Sequence, residues 1–272
     1  MTHRRGDRAG FTLLELIVVL AILVAIAGLA VTKLDVLQLK AEKASAALDM
    51  RNISRMIQTF RATTNFYPDR WDSLVVTGTR SLQVPGAPGS GQGGLDPGLV
   101  GTTGAGKLIL STDSLTANQA RSLSRLGITT VYDHVGSTAI PYSDGFTVQN
   151  PIDGTDDVFA TINPANAAGQ RILNTIYPTP PSAANPAGNA VVPADRVLVV
   201  FGLGKWTTIV GSNLQSAVLT EPPIYPYSNE LYYNRYLAVF EAYNNGGRCR
   251  LVAVLGADGD LAAEEIAEFN RD

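Results

Sequence analysis

Glu15 is the only charge in residues 11–31, FTLLELIVVLAILVAIAGLAV. A carboxylate inside an apolar span costs up to ~3 kcal/mol on insertion scales, so it needs a partner or a task. Near the other end of the chain, Asp258 and Asp260 flank Gly259 in LGADGD. Two carboxylates in a tight glycine turn offer hard oxygen ligands, the chemistry of a calcium site. The same pair could simply turn the chain and cap a following helix. Three other groups invite a chemical reading and carry it less far. His134 is the only histidine outside the first ten residues. It could join a serine and an aspartate, but one histidine among many serines defines no triad, and an ordinary loop position is expected for it. Gly101, Gly106 and Lys107 fit G-x-x-x-x-G-K, yet Leu108 replaces the Ser/Thr that a phosphate loop gives to magnesium. Gly202-x-Gly204 follows a strand-like run, but Thr207 stands where a dinucleotide fingerprint has its third glycine.

Composition narrows the function classes. The 272 residues carry a net charge of −3 and 17% charged residues, below the roughly 25% of an average soluble domain. No basic stripe large enough to displace counterions from a phosphate backbone is legible, so no nucleic-acid partner is expected. The single cysteine, Cys249, excludes an internal disulfide and a thiolate zinc site. Lying in a strand-like run, it reads as a small buried apolar residue. An enzyme is not expected.

The positive charge is concentrated in the first ten residues, MTHRRGDRAG, where Arg4, Arg5 and Arg8 face only Asp7. As a helix, residues 11–31 would be ~31 Å long, enough to cross a bilayer. The preceding arginines predict a cytoplasmic N-terminus. Three readings compete: a plain signal anchor, a secretory signal cut after Ala25-Ile26-Ala27, and a leader cut between Gly10 and Phe11. The first two have no use for Glu15.

Helical spacing continues beyond the apolar run. Apolar residues recur at Leu34, Leu37, Ala41, Ala44 and Leu48, then at Ile53, Ile57 and Phe60, with no proline or glycine in residues 29–62. A helix over 11–62 would be ~78 Å long. Its first half is expected to span lipid and its second, amphipathic half (32–63) to pack a globular head.

Gly10-Phe11-Thr12-Leu13-Leu14-Glu15 before an apolar run resembles the class III signal of type IV pilins and type II secretion pseudopilins. That resemblance implies cleavage of leader 1–10 by a prepilin peptidase after Gly10 and N-methylation of Phe11. It also implies that Glu15 pairs with the α-amino group of a neighbouring subunit's Phe11 during assembly. Many members carry a proline near the position of Thr32; this chain does not. Asn65-Phe66-Tyr67-Pro68, with Trp71 and Leu74, ends the helix and is again similar to the family, though an ordinary aromatic loop fits as well.

The head, residues 64–272, begins with a Gly/Pro-rich surface loop over 77–107. Residues 108–220 read as an insertion. It holds a strand at 108–110, a helix at Thr116–Leu126 closed by Gly127, a strand at Ile128–Tyr132, and apolar runs at Phe159–Ile162, Arg171–Tyr177 and Arg196–Phe201. In residues 221–272, Tyr236–Tyr243 and Arg248–Leu255 form a hairpin across Asn244-Asn245-Gly246-Gly247, and Leu261–Phe269 forms a short helix. Leu255-Gly256-Ala257-Asp258-Gly259 resembles the C-terminal signature of major pseudopilins, whose following loop commonly binds calcium, here through Asp258 and Asp260. Glu221-Pro222 and Pro226-Tyr227 loosely resemble that family's aspartate-proline element.

The fold class is therefore α+β: a long N-terminal helix on a C-terminal antiparallel sheet, with a large loop-rich insertion. The resemblance implies an inner-membrane, single-pass subunit with a periplasmic head. Its partners would be further copies of itself in a filament, other pilins or pseudopilins, the prepilin peptidase, and the inner-membrane assembly platform with its ATPase. A pilus subunit for adhesion, motility or DNA uptake is the neighbouring alternative. A membrane-tethered binding protein or hydrolase is the alternative of another class.

Overall fold

In the computed structural model, residues 13–82, 94–101, 109–135, 145–155, 157–211, 219–226 and 232–271 are described. The readings at leader 1–10, Gly10, Phe11, Gly106, Lys107 and Tyr227 lie outside them. Helix α1 runs from Leu13 to Thr64, 52 residues, with no break at Gly28 or Thr32. By internal contacts the chain forms two compact units, Met1–Glu42 and Lys43–Asp272.

In the first unit, the described side chains from Leu13 to Gly28 are all exposed. Among the described residues, no helix is long and apolar enough to cross a membrane.

The second unit is built on an eight-stranded mixed sheet. Its strands are β1 (Trp71–Val76), β2 (Leu110–Ser114), β3 (Thr130–His134), β4 (Phe146–Pro151), β5 (Val158–Ile162), β6 (Arg196–Gly202), β7 (Leu237–Tyr243) and β8 (Arg250–Leu255). The order is β2-β5-β6-β1-β3-β4, and β7 pairs β6 and β8. Only β1 and β3 run parallel; the other named pairs are antiparallel. Strand β6 is the hub: its first and last residues pair with β7, from Arg196↔Tyr243 to Gly202↔Leu237. Its other edge is shared by β5 at Val199 and β1 at Gly202.

Both faces of this sheet are covered, which explains the unbroken apolar run Val197–Phe201. On one face, Val199, Phe201, Ala238 and Phe240 pack with Ala46, Met50, Ile53, Ile57 and Phe60 of α1. Helix α3 (Ala117–Ser124) adds Ala120 and Leu123 to that face. On the other, Leu198, Val200, Leu237 and Val239 pack with Leu99 of α2 (Pro97–Val100) and with Ile172 and Leu173 of α4 (Ala167–Ile176). Helix α5 (Ala262–Arg271) follows β8. Residues within 108–220 thus supply strands and the second helical layer of the same sheet, rather than a body of their own.

The contacting stripe of α1 differs from part of the sequence pattern. Ile53, Ile57 and Phe60 are buried as the spacing predicts. The buried line then continues through Met50 and Ala46, whereas Leu48 is 58% exposed, and Leu34 and Leu37 are exposed too. Spacing alone marks an apolar face but does not say which partner covers it. Helix α1 stops at Asn65, left-handed at φ 65, whose N–H donates to the Arg61 carbonyl at 2.8 Å. Of the element Asn65–Pro68 with Trp71 and Leu74, left open between a family-like motif and an ordinary aromatic loop, Trp71 and Leu74 lie in strand β1. The run Arg171–Tyr177 lies mostly in helix α4, capped by Asn166. Helix α3 starts with a capping box between Thr116 and Gln119 and is closed by Gly127 at φ 91, and the β7–β8 hairpin forms where the sequence places it.

Candidate functional site

Glu15 lies in the first turn of α1, exposed among exposed apolar neighbours such as Leu14 and Ile17. An apolar helical surface with one acidic group offers a cohesive face and a single electrostatic register mark.

The acidic turn is more elaborate than the sequence indicates. After β8, Gly256 N–H donates to the Asp260 carbonyl at 2.9 Å, and Gly259 adopts φ 92, so the chain folds back on itself. Carboxylates of Asp258, Asp260 and Glu265 come within 4.8 Å of one another. This all-oxygen set suits calcium in kind. Their partners, however, come from the protein. Asp258 accepts the Asp260 N–H at 3.1 Å and the Tyr225 hydroxyl at 2.8 Å, and Tyr225 also bonds Glu265. Arg171, from α4, reaches Asp260 at 2.9 Å and Glu264 at 2.8 Å. Burial, then the Asp260 charge, pushes the Asp258 carboxyl up to about 7. The guanidinium places a fixed positive charge against Asp260, so Arg171 engages a carboxylate that a divalent ion would need. Glu264 also accepts the Leu261 N–H at 2.9 Å, starting α5.

Sequence reasoning found Asp258 and Asp260 but missed Arg171, Tyr225 and Glu265. The two glutamates at the helix start were the available signal; nothing local marks Arg171, 87 positions before Asp258 in a different layer of the fold. Arg171→Ala should lower stability by about 1 kcal/mol, a modest value because both ion pairs are partly solvated. It should also make the melting temperature rise with millimolar calcium, while the wild type stays indifferent. An equal calcium response in both proteins would assign the loop to the ion instead.

The remaining buried charges are structural in their surroundings. His134 is not in a loop: it is 2% exposed at the end of β3, beside the Phe146 ring at 5.3 Å. Burial pushes its imidazole down to about 4, so it is neutral at physiological pH. Glu241 is fully buried on β7 and meets Arg196 at 2.9 Å, Arg250 at 2.8 Å, Tyr243 at 2.6 Å and Tyr177. Burial alone would raise its carboxyl, but the hydroxyl and guanidinium bonds outweigh it and hold it low. Cys249 is buried as expected, its thiol pushed up to about 12 by burial. Asp72, on β1, accepts the Tyr233 hydroxyl at 2.8 Å with its carboxyl pushed up to about 8 by burial.

A long N-terminal helix with an exposed apolar first part, leading into a helix-backed sheet, is consistent with a pilin-like fold. Residues 5–31 match the family described as the prokaryotic N-terminal methylation motif. The match covers Gly10, Phe11 and Glu15 and supports a type IV pilin-like protein, a substrate of a prepilin peptidase with a membrane-anchored N-terminus. No curated protein and no solved structure matches the chain.

Proposed function

We propose that this chain is a structural subunit of a type II secretion pseudopilus. The methylation motif at residues 5–31, continued by an exposed apolar helix, is the observation that carries the reading. In this reading residues 11–31 hold the subunit in the inner membrane, with the leader cytoplasmic and the head periplasmic. After cleavage behind Gly10 and methylation of Phe11, the subunit is extracted by an assembly platform driven by a separate ATPase. Copies stack through the apolar surface of α1, which Leu34, Leu37 and Leu48 extend beyond the span. The chain performs no chemistry of its own; growth of the filament moves folded cargo. The Leu-Gly-Ala-Asp-Gly ending and the single cysteine favour a pseudopilus over a pilus.

Mass spectrometry of the N-terminal peptide from membrane-extracted protein tests the processing. The expected species begins at Phe11 with one added methyl group. A start at Gly28 would mean a secreted soluble protein, and an intact leader in cells with active prepilin peptidase would mean a plain anchor. Deleting the gene separates the filament types: loss of protein secretion with normal surface pili is expected, and loss of pili with normal secretion overturns the pseudopilus reading.

A further inference from the structure

Beyond the acidic loop, the head carries a cavity of about 540 Å³ that the assembly reading does not use. It lies where α1 ends, lined by Gln58, Arg61, Asn65, Phe66, Arg125 and Arg248 with Ala62 and Leu126. No carboxylate lines it among the described residues, although acidic residues outnumber basic ones in the chain, 24 to 21. The end of α1 contributes roughly half a negative charge at most, and three guanidinium groups outweigh that.

The walls are held in place. Arg61 donates to the Tyr67 hydroxyl at 2.7 Å and stacks on that ring at 4.7 Å. Arg125 donates to the Gly246 carbonyl at 2.6 Å. Each bond uses one of five guanidinium donors, so forks remain for a ligand. Phe66 is 51% exposed, and its backbone is fixed by the Thr64 hydroxyl. Gly127 allows that placement, since a Cβ there would come within 2.7 Å of the Phe66 Cβ. The volume falls within the ~300–1,000 Å³ range of small-molecule sites.

We propose that this cleft binds an acidic oligosaccharide. Carboxylates would pair with Arg125 and Arg248, ring hydroxyls with the amides of Gln58 and Asn65, and the C–H face of one sugar with Phe66. A bare anion would leave the amides and the aromatic face unused. A neutral sugar would leave three guanidinium groups without a counter-charge.

Calorimetric titration of the full-length chain in detergent micelles tests the assignment. The probe is a tetrasaccharide of alternating glucuronate and N-acetylglucosamine; chitotetraose, its carboxylate-free counterpart, inorganic pyrophosphate and a single-stranded DNA oligomer are the comparisons. Binding of the acidic tetrasaccharide alone is expected, weakened at least tenfold by Arg248→Glu with no change in melting temperature. Arg248 is exposed and makes no hydrogen bond or ion pair among the described residues, so its replacement should leave the fold intact. Phe66→Ala should weaken the tetrasaccharide severalfold. Equal binding of chitotetraose, tighter binding of pyrophosphate or DNA, no binding of the tetrasaccharide, or an unaffected Arg248→Glu variant would each overturn the proposal. None of these results bears on filament assembly, which the N-terminal peptide tests separately.

Discussion

Glu15→Ala is expected to abolish incorporation into filaments while leaving the subunit in the membrane at wild-type abundance. If the proposed assembly uses the pairing that the class III signal implies, each Glu15 carboxylate meets the charged α-amino group of a neighbouring Phe11 inside an apolar bundle. Removing one member of a buried pair strands the other, at about 3–5 kcal/mol. At ~1.4 kcal/mol per tenfold, subunit addition should fall at least about a hundredfold. Insertion itself should become easier, because the substitution deletes the only charge of residues 11–31. Glu15→Gln keeps the side-chain size and should fail as well, which separates loss of charge from loss of packing. The measurement is the ratio of sheared or cross-linked filament to membrane-bound subunit. Wild-type incorporation of either variant would show that apolar stacking alone sets the register.

The N-terminal part was legible because its physics is local. A charge inside an apolar run, a small residue before it, and spacing by three and four are all readable without knowing what they touch. The head was legible where its elements carry their own signals: the capped α3, the β7–β8 hairpin, α5, and the apolar runs that become β3, β5 and β6. Strand β1, Trp71–Val76, was hidden because every residue from Trp71 to Val75 is buried, Asp72 and Ser73 included, so it shows no alternation. A positive φ at Leu74 and the bulge between Asp72 and Val76 disguise it further. Helix α4 was hidden by Gly169, a poor helix former. The glycine is there because a Cβ would come within 1.9 Å of the Asn163 carbonyl oxygen.

The weak dinucleotide-like pair has the same kind of explanation. A Cβ at Gly202 would overlap the Tyr233 hydroxyl, and one at Gly204 would overlap the Asp72 carboxylate. Both glycines are spaces for buried side chains. What the sequence could not disclose is that Asp72, Tyr233, Gly202 and Gly204, up to 161 positions apart, meet as one buried polar cluster.

That cluster should make stability fall as pH rises. Among the described residues, one oxygen of Asp72 accepts from Tyr233 and the other has no hydrogen-bond partner. Burial is the dominant influence, raising the carboxyl from 3.8 to about 8, against the lowering effects of Tyr233 and Arg235. A group with a raised folded pKa binds more protons in the native than in the unfolded state across that interval. Its contribution is therefore fully favourable below the unfolded value and is lost progressively as pH approaches 8. Between about pH 5 and pH 8 the loss is up to about 4 kcal/mol, since each pKa unit is worth ~1.4 kcal/mol. Asp72→Asn stays neutral throughout and keeps an acceptor for Tyr233, so it should escape this part of the decline. Urea unfolding of both proteins across that range should show their stability difference shifting toward the variant as pH rises. Other buried acids, Asp133 and Asp157 among them, titrate in the same direction in both proteins and cancel in the difference. Parallel pH profiles would mean that Asp72 is ionised at neutral pH, with Arg235 supplying the compensating charge.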